Sequence, residues 1–442
     1  MKQFQGFFEH ATLFNHDIPS LMEDKEEVAY VLFGSPQEVR SYLSVATAQQ
    51  RIERQKTFYN PGIAIRSRLG QGIHDRGEAF VFADESIHTS DQQGLSNHFP
   101  AHGKLLSILK KTVPAGKTWD VTVSADIWGI DESEELYTAI NVGELVLEPG
   151  AKVVVRGNVF SLVCQRLISK NQFSDNPQDF QIGILPTPFS LDMRKGPENG
   201  RNGTHGLHGR HGKNGHSPTV QSSIIGLYPT NEINPYAMHG ENGANGTQGR
   251  NGGHGRNGGM SKIAEITIGH LEGQLQLFSQ AGKGGNGGQG GNGGNGGNGG
   301  NGGHGNKLIA GLLEGGQGAK GGNGGNAGDG GNGANGGLSS NIYINLPSHQ
   351  AEQVKCISLA SEPGKEGKGG KPGCGGFAGV SGQYARNSQE VSQGQDGTVG
   401  FGGRPGKSRH APWIFLNEKP VAPPSEASKA LSKNKENTQV YS

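Results

Sequence analysis

The sequence predicts a mostly β, partly irregular protein. A bundle of parallel and antiparallel polyglycine II helices joined by short β-strands follows a β-rich region and a small mixed N-terminal segment. Two observations carry this: glycine takes every third position in six runs between Gly200 and Gly406, and short apolar strands of period two recur between and before those runs. A period of three fits neither an α-helix, with ~3.6 residues per turn, nor a strand, with a repeat of ~2. It fits an extended threefold helix rising about 3.1 Å per residue. Such a helix makes no hydrogen bonds within itself, so each N–H and C=O needs a partner in another run. Ordering each glycine costs on the order of 1–2 kcal/mol, which lateral association has to offset. A collagen triple helix is disfavoured because no proline falls within the first four runs.

Taken in order, residues 1–99 form a mixed region. Ser35, Pro36 and Glu38 make a capping-box start with proline at the first helical position, for a helix over about 35–59. Residues 100–195 read as β-rich. Trp119, Val121 and Val123 alternate with polar residues, and further apolar stretches follow the turn at residues 148–150. This rhythm suits either stacked solenoid rungs or an ordinary sandwich.

The bundle occupies residues 196–410, in runs at 200–215, 240–258, 282–305, 315–336, 364–382 and 394–406. Runs three and four are mostly two-thirds glycine, so two bare faces place them inside. Gly243, Gly249, Gly294, Gly297, Gly324 and Gly373 are expected to be structural, facing neighbouring backbones. Runs one and two carry Arg201, His205, Leu207, His208, Arg210 and His211 and belong at an edge. Phe377, Val380, Val399 and Phe401 in runs five and six are expected to pack against a sheet. At about 3.1 Å per residue the longer runs extend roughly 55 to 70 Å. Strand patterns recur at residues 220–228, 262–268, 274–278, 341–345 and 354–359, so either the bundle sits on a sheet or each run is an excursion from a solenoid. Beyond Trp413 a polar, proline-rich tail is expected over residues 411–442.

Composition narrows the function. Of 442 residues, 78 are glycine and only 32% are hydrophobic, which confines an ordinary core to roughly the first 195. A net charge of +1 favours neither nucleic acid nor an anionic membrane. No stretch approaches the roughly 20 apolar residues of a membrane span, and no secretory signal peptide is visible at the N-terminus. Cys164, Cys356 and Cys374 show no CxxC spacing, so neither a zinc site nor a disulfide framework is expected. Calcium rolls need a regular aspartate, and Asp329 is the only one in runs three and four. His205, His208 and His211 line one face about 9.3 Å apart, too far to share a metal ion, and read as a solvated edge. Asn292, Asn295, Asn298 and Asn301 make a similar amide ladder, read as a polar outer face that bonds neighbouring carbonyls, or else as a ladder that meets a sugar or ice lattice. The GxGxxG strings do not open a helix after a strand, and the Asn202-Gly203-Thr204 and Asn245-Gly246-Thr247 acceptors are read as chance. No nucleophile is paired with a base, and no enzyme activity, cofactor or metal is expected.

Residues 196–406, and above all GGNGGNGGNGGNGG from Gly290 to Gly303, resemble the polyglycine II sandwich of T-even-type bacteriophage tail-fibre adhesins. More distantly they resemble the snow flea antifreeze protein and the glycine-rich N-terminal domain of Obg GTPases. This chain departs from the adhesins in its 195 or so preceding residues and its strand-bearing connectors. The adhesin resemblance implies a stiff bundle presenting loops at one end to a cell-surface receptor or glycan. The connectors that fit are residues 217–239, with Tyr228, Asn231, Tyr236 and Met238, and residues 384–393, with Tyr384. The expected function is therefore non-enzymatic surface recognition, located outside the cell or on a virion or cell surface. The alternatives are a self-assembling matrix or filament protein that pairs with copies of itself, and a secreted toxin or effector with the bundle as scaffold.

Overall fold

A computed structural model describes residues 4–43, 47–58, 81–82, 99–130, 135–187, 198–386 and 391–422. The described chain is mostly β. Near its start lie helices α1 (Gln5–Leu13) and α2 (Ile18–Met22), strand β1 (Glu27–Phe33), and helices α3 (Pro36–Tyr42) and α4 (Ala48–Phe58). Where the sequence suggested one helix over 35–59 there are two, since α3 closes at Leu43; residues 44–46 and 59 lie outside the described set. The start of α3 follows from its residues. Ser35 Oγ accepts from Glu38 N–H at 3.3 Å, and the Glu38 carboxylate accepts from Gly34 N–H at 2.7 Å, so two otherwise orphaned donors are satisfied.

From Ala101 onward the chain alternates between two sheets. Strands β2 (Ala101–Val113), β4 (Leu136–Leu147), β6 (Val159–Ser169), β10 (Ala264–Ile268), β15 (Ile342–Asn345) and β17 (Ile414–Leu416) are neighbours in one sheet, all parallel. Strand β11 (Leu271–Gly273) also pairs with β6. Only the edge strands β1 and β18 (Lys419–Ala422) pair antiparallel. The second sheet holds β3 (Thr118–Asp120), β5 (Lys152–Arg156), β7 (Ile182–Leu185), β12 (Leu275–Gln280) and β16 (Val354–Leu359), again all parallel. Apart from the edge strands β1 and β18 the pairing in both sheets is parallel, unlike that of an antiparallel sandwich.

The core lies between the two sheets. One row of it runs Leu106, Ile140, Leu162, Ile266, Ile344 and Leu416, each registered on the next strand and all buried. Burying each such side chain contributes about 1.5–3 kcal/mol. The ordinary core is thus not confined to the first 195 residues but extends to Ala422. Within the stretch expected as a tail, Ile414–Leu416 and Lys419–Ala422 instead close the first sheet, with the Phe415 ring stacked on Tyr343 at 5.1 Å, and residues 423–442 lie outside the described set. The outer face of that sheet carries the N-terminal helices. Asn141 Nδ2 donates to the Phe7 carbonyl at 2.9 Å and Ser161 Oγ to the Leu43 carbonyl at 2.6 Å.

Each pair of glycine runs links a second-sheet strand to the next first-sheet strand, running out and back from the sheets. Runs one, three and five lie side by side in one direction: Gly200 N–H donates to the Asn286 carbonyl at 2.7 Å, and Gly287 N–H to the Lys365 carbonyl at 2.8 Å. Runs two, four and six do the same, as in Gly243 to Lys320 at 2.9 Å and Gly324 to Gln395 at 2.8 Å. The two layers are antiparallel, with Gly294 N–H donating to Thr247 and Gly325 N–H to Gly294. A Cβ at Gly243, Gly249, Gly294, Gly297, Gly324 or Gly373 would overlap a neighbouring carbonyl. Runs three and four each bond to four others, while run one bonds only to runs two and three.

Side chains add a second ladder. Asn199, Asn202 and Asn214 (Oδ1), His205, His208 and His211 (Nδ1) and Ser217 (Oγ) each accept a backbone N–H of run three, at 2.7 to 2.9 Å. Asn292, Asn295, Asn298 and Asn301 then accept N–H groups of run five at 2.9 to 3.0 Å. So the asparagines and histidines are not merely a solvated face: they fill the N–H positions that glycine carbonyls leave open. At the equivalent places of run five stand Lys365, Lys368, Lys371, Phe377 and Val380, which cannot accept, and the ladder stops. Phe377, Val380, Val399 and Phe401 lie against no sheet. They are 67%, 71%, 62% and 75% exposed, because the last runs have no neighbour beyond them.

Candidate functional site

The alternation of outgoing and returning runs gathers three connectors at the end of the bundle farthest from the sheets. Residues 216–239 follow run one, residues 306–314 follow run three, and residues 383–393 follow run five. The first contains the hairpin of β8 (Val220–Ser223) and β9 (Gly226–Pro229), and the second that of β13 (Asn306–Leu308) and β14 (Gly311–Leu313). The strand pattern at 220–228 therefore joins neither main sheet. Gly226 at φ +133 and Gly311 at φ +128 let both chains reverse, conformations that side chains disfavour. The hairpins meet where Ile309 N–H donates to the Leu227 carbonyl at 2.9 Å.

The two turns present Ile224, Ile225, Ile309 and Leu312 to solvent, with Ile224 fully exposed. Nearby, Tyr236 is 86% exposed on a short turn capped by Asn234 Oδ1, which accepts from Tyr236 N–H at 3.0 Å. Tyr228 is partly exposed, and its hydroxyl donates to Gln221 Oε1 at 2.9 Å. Asn231 is exposed. Tyr384 sits at φ 62, its carbonyl accepting from Gly315 N–H at 3.2 Å, and its ring is about half exposed. The Arg386–Glu314 ion pair at 2.9 Å links the second connector to the third, whose residues 387–390 lie outside the described set.

Met238, expected among the recognition residues, is instead buried at 3% exposure, its carbonyl holding Gly303 N–H at 2.8 Å. It anchors the connector and offers no surface. Ile224, Ile225, Ile309 and Leu312 escaped the sequence reading. The available signal was an aliphatic pair in a hairpin turn, unsupported by the alternation that marks a buried face.

A second polar feature lies at the other end. Arg54 on α4 is buried between Glu265, at 3.0 Å, and Glu418, at 2.7 Å, with its guanidinium 3.8 Å from the Tyr343 ring centre. Burial works against the Arg54 charge, but the Glu418 and Glu265 carboxylates outweigh it and hold the group ionised. Burial pushes the Tyr343 phenol up. An open cavity of about 410 Å³ beside this cluster is lined by Gln50, Thr267, Asn345, Leu346 and Glu418 among others. The two carboxylates and the ring make the arrangement a clamp fixing α4 to the sheet. Burial also pushes the Cys164 and Cys356 thiols up to about 12, leaving Cys374 as the exposed cysteine.

Among the described residues no group of three or more His, Cys, Asp or Glu is placed to hold a metal ion, and no helix is long and apolar enough to cross a membrane. Comparison of the chain with family models, curated proteins and solved structures finds no match in any of the three.

Proposed function

We propose that the six glycine runs are polyglycine II helices, and that they form a rigid arm projecting from a β-solenoid base. The arm carries a non-enzymatic recognition tip that binds a cell-surface receptor. The lateral bonds at every third residue support the first part, and the alternation of parallel strands between two sheets supports the second. One observation carries the recognition reading: both described hairpins at the far end expose aliphatic side chains, in a molecule that buries most such residues between its two sheets. Exposed apolar patches of this kind mark interaction sites. Because aliphatic groups dominate the turns, a receptor protein fits them better than a glycan, with Tyr228, Tyr236 and Tyr384 supplying aromatic contact around them. A surface-bound or extracellular location, including that of a virion, accords with this reading.

Self-assembly has one observation in its favour, the exposed Phe377, Val380, Val399 and Phe401. Against it, the same edge carries Lys365, Lys368 and Lys371, which would bring like charges together and offer no acceptor to an added run.

The test is attachment of the labelled protein to a panel of bacterial and animal cells. At least one surface should be bound. The variant Ile224→Ser/Ile225→Ser/Ile309→Ser/Leu312→Ser should bind it about tenfold or more weakly, with an unchanged Tm, because these residues make contacts and pack no core. A variant that attaches as well as wild type would remove the tip from consideration.

A further inference from the structure

We infer that run one is an acid-releasable edge of the bundle, held in place by histidines that must be neutral to hold it. His205, His208 and His211 accept the backbone N–H groups of Asn292, Asn295 and Asn298 through Nδ1, at 2.9, 2.9 and 2.8 Å. A backbone N–H can only donate, so the tautomer is settled by the geometry: Nδ1 carries the lone pair and Nε2 the proton. A second proton on Nδ1 turns each acceptor into a donor facing a donor. Three adjacent rungs of a seven-rung ladder then fail together.

The rungs on either side show what the position requires. Asn199, Asn202 and Asn214 perform the same bond with an amide oxygen, which takes up no proton near neutral pH. Histidine is therefore not needed for the bond, and what it adds is a basic nitrogen that a proton converts from acceptor to donor. The charged groups on the packed elements are Arg201, Arg210 and Lys213 on run one, and Glu241, Arg250 and Arg256 on run two, with Glu198 paired to Arg256 at 2.7 Å, while His254 of run two accepts Asn332 N–H through Nδ1 at 2.9 Å. Run three carries none between Gly284 and Gly303. No carboxylate is among the ladder's partners.

Run one lies at an edge, where fewer bonds oppose release. Like run six it bonds to only two other runs, whereas runs three and four each bond to four. It leads directly into the β8–β9 hairpin, so loosening it frees one side of the far end of the bundle. The inference stands on the ladder geometry alone and does not depend on what the tip binds.

The test follows imidazole nitrogens and backbone amides by nuclear magnetic resonance on the full chain. At about pH 7.5 the three imidazoles should show an unprotonated Nδ1, and on titration toward about pH 5 the protection of the Asn292, Asn295 and Asn298 amides, corrected for intrinsic exchange, should fall about tenfold or more. The fall should track imidazole protonation. His205→Asn/His208→Asn/His211→Asn should keep that protection at both pH values. Imidazoles that protonate with no change at these amides would overturn the inference, as would an equal acid loss in the triple variant.

Discussion

At Gly294 an added Cβ would overlap the Leu207 carbonyl, and at Gly324 the Gly373 carbonyl, so neither position has room for a side chain. Gly294→Val or Gly324→Val should destabilise the protein by about 3 kcal/mol or more, as overpacking and lost lateral bonds combine. Asn295→Ala removes only an exposed acceptor, the one that holds Cys374 N–H at 3.0 Å, and that N–H can turn to water. Its cost should be about 1 kcal/mol. Thermal or denaturant melting distinguishes the two classes, and equal losses would contradict the packing described. The glycine positions are legible in sequence because they recur at every third residue. The partners of Asn295 and His208 are not, since each bond depends on the register between runs 79 or 87 residues apart. Phe377 and Phe401 were misplaced for a related reason: an aromatic residue suggests a covering surface, and only the end of the ladder shows that none is supplied.

Among the elements, α1 and the turn that follows it carry two histidines, His10 and His16, whose neutral form burial favours. Burial lowers the pKa of His10, against a hydrogen bond to the Tyr42 carbonyl, and lowers that of His16, against the charge of Glu27. Neither ring nitrogen of His16 has a hydrogen-bond partner among the described residues. The folded form thus binds these protons less readily than the unfolded chain. The stability the two residues contribute is present above the ordinary imidazole range near 6.5 and is lost as pH falls through the lowered folded values. Amides of α1 should lose protection on acidification below about pH 6 while those of β4 and β6 hold, and His16→Leu should lessen the effect. Constant protection of α1 down to about pH 4 would contradict this. The strands themselves were only partly legible. Residues 341–345 and 354–359 declare a strand by apolar alternation, but Ile414–Leu416 is three residues long and shows its place only when registered on Ile344. The core appeared to end near residue 195 because glycine dilutes the apolar content of the later half, although the strands between the runs feed the same core.

For the molecule as a whole, the two parallel sheets give the glycine runs fixed roots, and the runs give the far hairpins a common platform. Fold and tip were unequally legible. The six runs were plain from their period, and the connector that carries Tyr228 and Tyr236 from its place between two runs, but the connector at residues 306–314 went unremarked because nothing in its sequence says that it meets Leu227. The central claim is that the glycine runs form one laterally bonded bundle and not a flexible tract. Native-state amide exchange over residues 284–305 tests it most directly. Gly287, Gly290, Gly293 and Gly296 donate to run five, and Gly288, Gly291, Gly294 and Gly297 to run two, all at 2.8 to 2.9 Å. These amides should be among the slowest in the protein and should lose protection in one cooperative step on heating. Fast exchange throughout residues 284–305 in the native protein, with a gradual response to temperature, is the behaviour of a flexible glycine linker and would contradict the account.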